Sequence, residues 1–316
     1  MGHIVDLHCD TIMECMLKGQ GLAGRPGHIN LEKLAKAGSM AQCFALFTIS
    51  NDMQDECNYH GEVYDIYNKM YEIFSREMEL NKDVIRQARS AVDILKNTAE
   101  GKLSAILTIE DCIFVEGKME RIEEMAKRGV KMASLTWNYE NSIGYPNNKN
   151  AELHKLGLKP FGIEAVEAMN DLGIIVDVAH LSEGGFRDVM KYSKKPICAS
   201  HSCARTLCDH PRNLTDEQLA AMGNSGSVVG VNFYSAFLEK DNLTYSSDEA
   251  ILKHMVYIAN KAGIETLALG SDFDGIDCDL EMKDYSGFPV LLEKMQKHFT
   301  DDQIDLITHK NFLRIL

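Results

Sequence analysis

His8 and Asp10 stand two residues apart at the end of an apolar run, in Val5-Asp6-Leu7-His8-Cys9-Asp10. Alternate residues of an extended backbone share a side, so this spacing aims an imidazole nitrogen and a carboxylate oxygen at one point, as a metal ion requires. Alone, the pair is weak evidence, since a surface turn accounts for most such His-x-Asp spacings. Four more residues of the same kinds close other apolar runs: Glu110 after Leu103–Ile109, His180 after Ile174–Ala179, His201 after Pro196–Ser200, and Asp272 after Thr266–Gly270 and Ser271. Three imidazoles and three carboxylates form a donor set suited to Zn²⁺, with Mn²⁺ or Fe²⁺ as alternatives, and they exceed what one tetrahedral ion takes. Two ions are the natural inference, roughly 3.5–4 Å apart with a hydroxide between them and a carboxylate such as Glu110 giving one oxygen to each.

Taken singly, each residue has a plainer reading. His180 fits a satisfied core histidine, and His201, within Ser200-His201-Ser202, fits a hydrogen-bonded turn. Glu110, beside Asp111, fits a solvated charge, and Asp272-Phe273-Asp274-Gly275 makes a turn. What joins them is the set of elements that must position them. Eight short apolar segments read as strands: Val5 to Leu7, Met40 to Phe47, Leu103 to Ile109, Val130 to Leu135, Ile174 to Ala179, Pro196 to Ser200, Ser227 to Asn232, and Thr266 to Gly270. Between them lie helical patterns. Apolar positions Val63, Ile66, Tyr67, Met70, Ile73 and Phe74 predict one helix from about His60 to Leu95, and Ile122–Arg128, Phe161–Leu172, Phe186–Tyr192 and Ile251–Ala262 predict others. Thr215 with Gln218 has capping-box form and opens a further helix. Val290–His298 and Asp302–Ile315 close the chain.

Strand and helix alternating eight times predict a single-domain (β/α)8 TIM-like barrel over residues 1–316, with the six residues on the rim where the C-terminal strand ends converge. An open doubly wound sheet is the alternative, weakened by the lack of a Gly-x-Gly-x-x-Gly turn after the first strand. Gly19 to Gly27 reads as a loop. Asp177, a charge inside an apolar strand, calls for a buried partner and is expected to accept a proton from a ligand imidazole. His3, His28, His60, His154, His210, His254, His298 and His309 fit no strand end and are read as structural or surface residues.

Composition narrows the function classes. A net charge of −14 with dispersed Lys and Arg opposes nucleic-acid binding. No apolar run approaches the roughly 18–20 residues of a membrane span, and the N-terminus shows no basic segment followed by an apolar core. Nine cysteines, an odd number without a Cys-x-x-Cys pair, fit reduced thiols and a cytoplasmic setting.

Val5-Asp6-Leu7-His8-Cys9-Asp10-Thr11, Ile109-Glu110-Asp111, Asp177-Val178-Ala179-His180, Ser200-His201-Ser202, Arg212-Asn213, Val231-Asn232-Phe233-Tyr234 and Gly270-Ser271-Asp272-Phe273-Asp274-Gly275 occur in an order that resembles the membrane (renal) dipeptidase family of the amidohydrolase superfamily. The resemblance extends to Asn311-Phe312-Leu313-Arg314 and so covers effectively the whole chain. It implies a distorted barrel with two zinc ions that hydrolyses dipeptides, including those with a D-residue at the C-terminal position. On that likeness, His8 and Asp10 hold one zinc, His180 and His201 the other, and Glu110 bridges them. Arg212, otherwise a surface loop residue, would bind the substrate carboxylate with its guanidinium fork. Asp272 resembles the catalytic acid/base that moves a proton from the bridging water to the leaving amine. A homodimer is also implied.

One departure stands out. Mammalian members carry a histidine in Leu-Thr-His after the fourth strand, where this chain has Leu135-Thr136-Trp137, so the indole N–H or nearby Asn138 is left as the available donor. Two other readings of the same residues are a metal-dependent amidohydrolase acting on a lactam, a cyclic amide or an N-acyl amino acid, and a non-catalytic metal-binding protein.

Overall fold

The computed structural model describes residues 3–316. Its strands are β1 (Ile4–Asp6), β2 (Ser39–Phe47), β3 (Ile85–Gln87), β4 (Leu103–Glu110), β5 (Val130–Ser134), β6 (Ile175–Asp177), β7 (Cys198–Ala199), β8 (Val228–Val231), β9 (Tyr245–Ser246), β10 (Leu267–Leu269) and β11 (Asp279–Leu280). Eight of them form a closed parallel barrel in the order β2-β1-β10-β8-β7-β6-β5-β4, sealed by pairing of β2 with β4 from Ala41↔Ser104 to Phe47↔Glu110. These eight are the strands expected from the apolar runs. β3 adds to the lower part of β4 outside the ring, and β9 and β11 form a separate two-stranded ribbon.

The interior is packed, not hollow. Val5, Cys43, Ile106, Met132, Ile175, Cys198, Val228 and Ala268, one from each barrel strand, meet in one buried cluster that Ala88, Ile94 and Phe312 join. A second, larger cluster lies between the barrel wall and the surrounding helices, and Ile66, Phe74, Met125, Val166 and Met169 contribute to it. Strands buried on both faces must be apolar throughout, which is why they read as continuous runs. Helix Val63–Leu80 illustrates the opposite pattern, for its buried side is Val63, Ile66, Tyr67, Met70, Ile73 and Phe74 while the intervening positions are mostly polar.

Two helices are interrupted where the sequence predicts continuous ones. The single helix expected from about His60 to Leu95 is two, Val63–Leu80 and Ala91–Ala99, separated by β3. Asn81 closes the first, its side chain donating to the Glu77 carbonyl, and Ser90 caps the second by accepting from the Asp93 N–H. The last helix contains a π turn at Leu306–Lys310, after which Asn311 donates to the carbonyls of Ile264 and Leu267 beneath β10. Thr215 and Gln218 form the expected capping box. Among the described residues no helix is long and apolar enough to cross a membrane.

Candidate metal centre

The six rim residues converge. Glu110 is the last residue of β4, whereas His8, His180, His201 and Asp272 lie two or three residues beyond the ends of β1, β6, β7 and β10. β1 ends earlier than the His8–Asp10 spacing implies. An isolated parallel bridge from Cys9 to Phe273 carries the extended backbone onward, and the Asp10 N–H donates to the Phe273 carbonyl at 3.1 Å, so the two ligand candidates flank a paired residue. Their common side is preserved by that bridge.

Glu110 lies at the centre. Its Oε2 is 3.2 Å from His8 Nε2, which is itself 3.5 Å from Asp10 Oδ2 and 3.7 Å from Asp272 Oδ1. Its Oε1 is 2.9 Å from His180 Nε2 and 3.5 Å from His201 Nε2. The carboxylate therefore faces His8 with one oxygen and the other two imidazoles with its second. All six side chains are buried.

The hydrogen bonds behind these rings fix which nitrogen carries a proton. Ser200 Oγ donates to Asp177 Oδ2 at 2.5 Å and so is free to accept from His201 Nδ1 at 2.8 Å. His180 Nδ1 lies 3.0 Å from Asn138 Oδ1, an acceptor. Both Nε2 atoms are left with lone pairs, yet they lie 3.0 Å apart with Glu110 Oε1 beside them. Three lone-pair donors meeting this closely repel one another, and a cation among them or a proton shared between them relieves it. Burial, reinforced by the positive charges of Arg212 and His8, holds both histidines well below their usual pKa and keeps them neutral.

On the other side the balance reverses. Burial alone would lower the His8 pKa, but Glu110 and Asp10 outweigh it and raise it well above the ordinary histidine range. Burial and the Asp10 charge push Glu110 up to about 8 despite the opposing pull of His8, and burial likewise raises Asp272. Three carboxylates in so small a volume repel one another, which a cation or a shared proton relieves. His8 Nε2 and Asp10 Oδ1 are buried without hydrogen-bond partners, and two sets, His8–Glu110–His201 and His8–Asp10–Asp272, offer donor atoms all within 4.8 Å of one another. The residues fit a divalent cation, and His8 belongs to both sets.

Asp272 adopts φ +64°, in the left-handed region, and Asn232 Nδ2 donates to its Oδ2 at 2.8 Å. The preceding Ser271 is clamped by Asp6, which accepts from its N–H at 2.8 Å and from its Oγ at 2.7 Å. Gly275 closes this turn. A Cβ there would sit 2.0 Å from Asp10 Oδ2 and 2.7 Å from Asp272 Oδ1, so only glycine leaves room for both carboxylates.

Arg212 is buried, not on the surface as its loop position implied. The loop folds back on itself through an Ala204–Leu214 bridge and carries the guanidinium to the barrel mouth, where Nη2 donates to the His201 carbonyl at 3.2 Å. Among the described residues no carboxylate pairs with it, and its Nε is buried without a partner. A cleft of about 550 Å³ opens here, lined by Asp10, Glu110, His180, Arg212 and Asp272 together with Met13, Phe47, Trp137, Tyr234 and Phe237.

Three expectations change. Asp177 does not touch a ligand ring; it acts on His201 through Ser200, because its two oxygens are taken by the N–H groups of Ala179 and Ser200 and by the Ser200 hydroxyl. His210 lines the cleft, and His28 Nδ1 accepts from the Asp274 N–H, so both belong to the neighbourhood of the site. Asn232, Ser271, Asp6 and Gly275 carried no assigned role, although Asn232 shows the same signal as the others, a polar residue at the end of an apolar strand.

A model of the membrane dipeptidase family, peptidase family M19, matches residues 2–316. An uncharacterised protein from the pqqA 5' region of Klebsiella pneumoniae is 32% identical over 265 residues, covering 81% of this chain and 97% of that one. The dipeptidase tcpJ of Claviceps purpurea is 26% identical over 92% of this chain and 69% of its own. Among solved structures, a metallo peptidase from Rhodobacter sphaeroides, liganded with a phosphinate mimic of the dipeptide L-Ala-D-Ala, superimposes with a TM-score of 0.90 at 23% identity, covering 99% of this chain and 98% of that one. The dipeptidase AC, another metallo peptidase, gives 0.89 at 23% identity, covering 99% and 97%.

Proposed function

The chain belongs to the membrane dipeptidase family of metallopeptidases, and from that premise we propose that it is a dinuclear zinc dipeptidase that cleaves free dipeptides, including those with a C-terminal D-residue. The observation that carries this reading is the division of Glu110, one oxygen toward His8 and the other toward His180 and His201. His8 and Asp10 would hold one ion, His180 and His201 the other, and Glu110 both. Bound there, the two ions would acidify a water molecule and polarise the scissile carbonyl.

The protein's own groups do the rest. Arg212, buried and without an anionic partner, binds the substrate's terminal carboxylate. Asp272, its pKa raised by burial and its carboxylate oriented by Asn232, takes the proton of the attacking water and passes it to the leaving amine as the C–N bond breaks. Asn138 and Ser200 keep the two imidazoles in the tautomer that presents Nε2. Nine cysteines without disulfides, eight of them buried, support a cytoplasmic location.

The test uses chelated enzyme restored with zinc, manganese or iron and assayed on L,L- and L,D-dipeptides, their C-terminal amides, N-acyl amino acids and lactams. Turnover confined to free dipeptides, with about two equivalents of metal per active chain, is expected. Activity with one equivalent or none refutes the dinuclear reading. Arg212→Ala should raise KM on free dipeptides and change little on the amides; equal losses on both contradict carboxylate recognition.

A further inference from the structure

The proposed dipeptidase reading leaves the side-chain preference open, and the circular order of the strands constrains it. Around the rim, β7 and β2 stand four strands apart in a ring of eight, so they are diametrically opposed. Arg212 belongs to the loop after β7, and Phe47 is the last residue of β2. A dipeptide whose carboxylate is held by Arg212 and whose scissile bond lies over Glu110 therefore points its N-terminal residue at Phe47.

The wall it meets is apolar. Trp137, on the loop after β5, packs its ring 5.0 Å from that of Phe47 and 6.0 Å from that of His180. Met13, in the helix that follows Asp10, lines the same cleft. The charged groups lining the cleft are Asp10, Glu110 and Asp272 on its floor, and Arg212 and Lys149 on the loops after β7 and β5. Asn138, Asn147 and Asn148, on the same loop as Trp137, add only uncharged polar groups, and the acidic floor suits the free ammonium group.

We propose that Phe47, Trp137 and Met13 form the subsite for the N-terminal side chain, and that the enzyme selects dipeptides beginning with a large apolar or aromatic residue. On this view Trp137 is a specificity determinant. Burying a leucine- or phenylalanine-sized side chain there should raise kcat/KM over a glycine-initiated dipeptide by roughly 10- to 100-fold.

The experiment measures kcat/KM for X-Ala dipeptides with X = Gly, Ala, Leu, Phe, Lys and Glu, on the zinc-restored wild type and on Trp137→Ala and Phe47→Ala, with thermal melting as a check on folding. The expected result is a Leu and Phe preference in the wild type and a Leu/Gly ratio reduced about tenfold or more in a folded variant. A flat profile, a preference for Lys or Glu, or an unchanged ratio in both variants overturns the subsite while leaving a dipeptidase in place. Failure to cleave any dipeptide overturns the dipeptidase reading and this inference with it.

Discussion

Replacing Ser200 by alanine tests whether the relay behind His201 governs metal binding. The hydroxyl accepts from His201 Nδ1 at 2.8 Å and donates to Asp177 Oδ2 at 2.5 Å, and all three residues are buried. Its loss removes two hydrogen bonds from a region water does not reach. Asp177 keeps the N–H groups of Ala179 and residue 200 on Oδ1, so the net penalty is about 1–3 kcal/mol, which for a chain this long lowers Tm by roughly 2–5 °C. The second effect is specific. Without an acceptor at Nδ1, the His201 proton is free to move to Nε2, where it blocks the lone pair aimed at Glu110 Oε1, and zinc affinity should fall about 10- to 100-fold. Chelator competition on the apo protein measures this directly. Ser271→Ala is the control: Ser271 makes the same two contacts to Asp6 but touches no ligand ring, so it should lose comparable stability and much less zinc affinity. A Ser200→Ala protein that is destabilised yet binds zinc like the wild type, or equal affinity losses in both variants, would refute the relay.

Asp272→Asn keeps an acceptor for Asn232 but cannot cycle a proton; full metal content with kcat reduced about 10²-fold or more is expected, and wild-type turnover removes its acid/base role. Gly275→Ala places a methyl group against Asp10 and Asp272 and should weaken metal binding measurably by the same chelator titration, while unaltered affinity would mean the turn relaxes freely. His210 supplies a pH dependence: burial, helped by Arg212 and Lys149, lowers its pKa from 6.5 to about 4. Because the unfolded chain binds that proton first, the stability involved is complete above pH 6.5 and is lost as pH falls toward 4. Melting temperatures of His210→Gln should therefore decline less steeply over that window, and parallel curves would count against the shift.

The barrel and its six rim residues were legible because both follow from short-range patterns. A strand buried on both faces reads as an apolar run, and a polar residue that stops such a run marks the rim. Arg212 escaped that logic because its burial depends on a loop folding back through Ala204 and Leu214, and no periodicity announces this. The helix break near Asn81 was hidden for another reason, since β3 is only three residues long and sits between two helices of similar apolar spacing. The supporting residues obey a rule that spans strands. Asp6 on β1 captures the N–H and hydroxyl of Ser271, which precedes Asp272 beyond the neighbouring β10; Asp177 on β6 does the same to Ser200, which precedes His201 beyond the neighbouring β7. Each pairing joins residues that no local window sees together, 265 positions apart in the first case. Yet the ingredients are visible once the strands are placed: an aspartate in an apolar strand, two or three residues before a rim histidine, and a serine immediately before a rim residue on the adjacent strand. The burial cost of each aspartate is offset by holding a turn, and that explains why a charge is tolerated in the barrel wall at these two places.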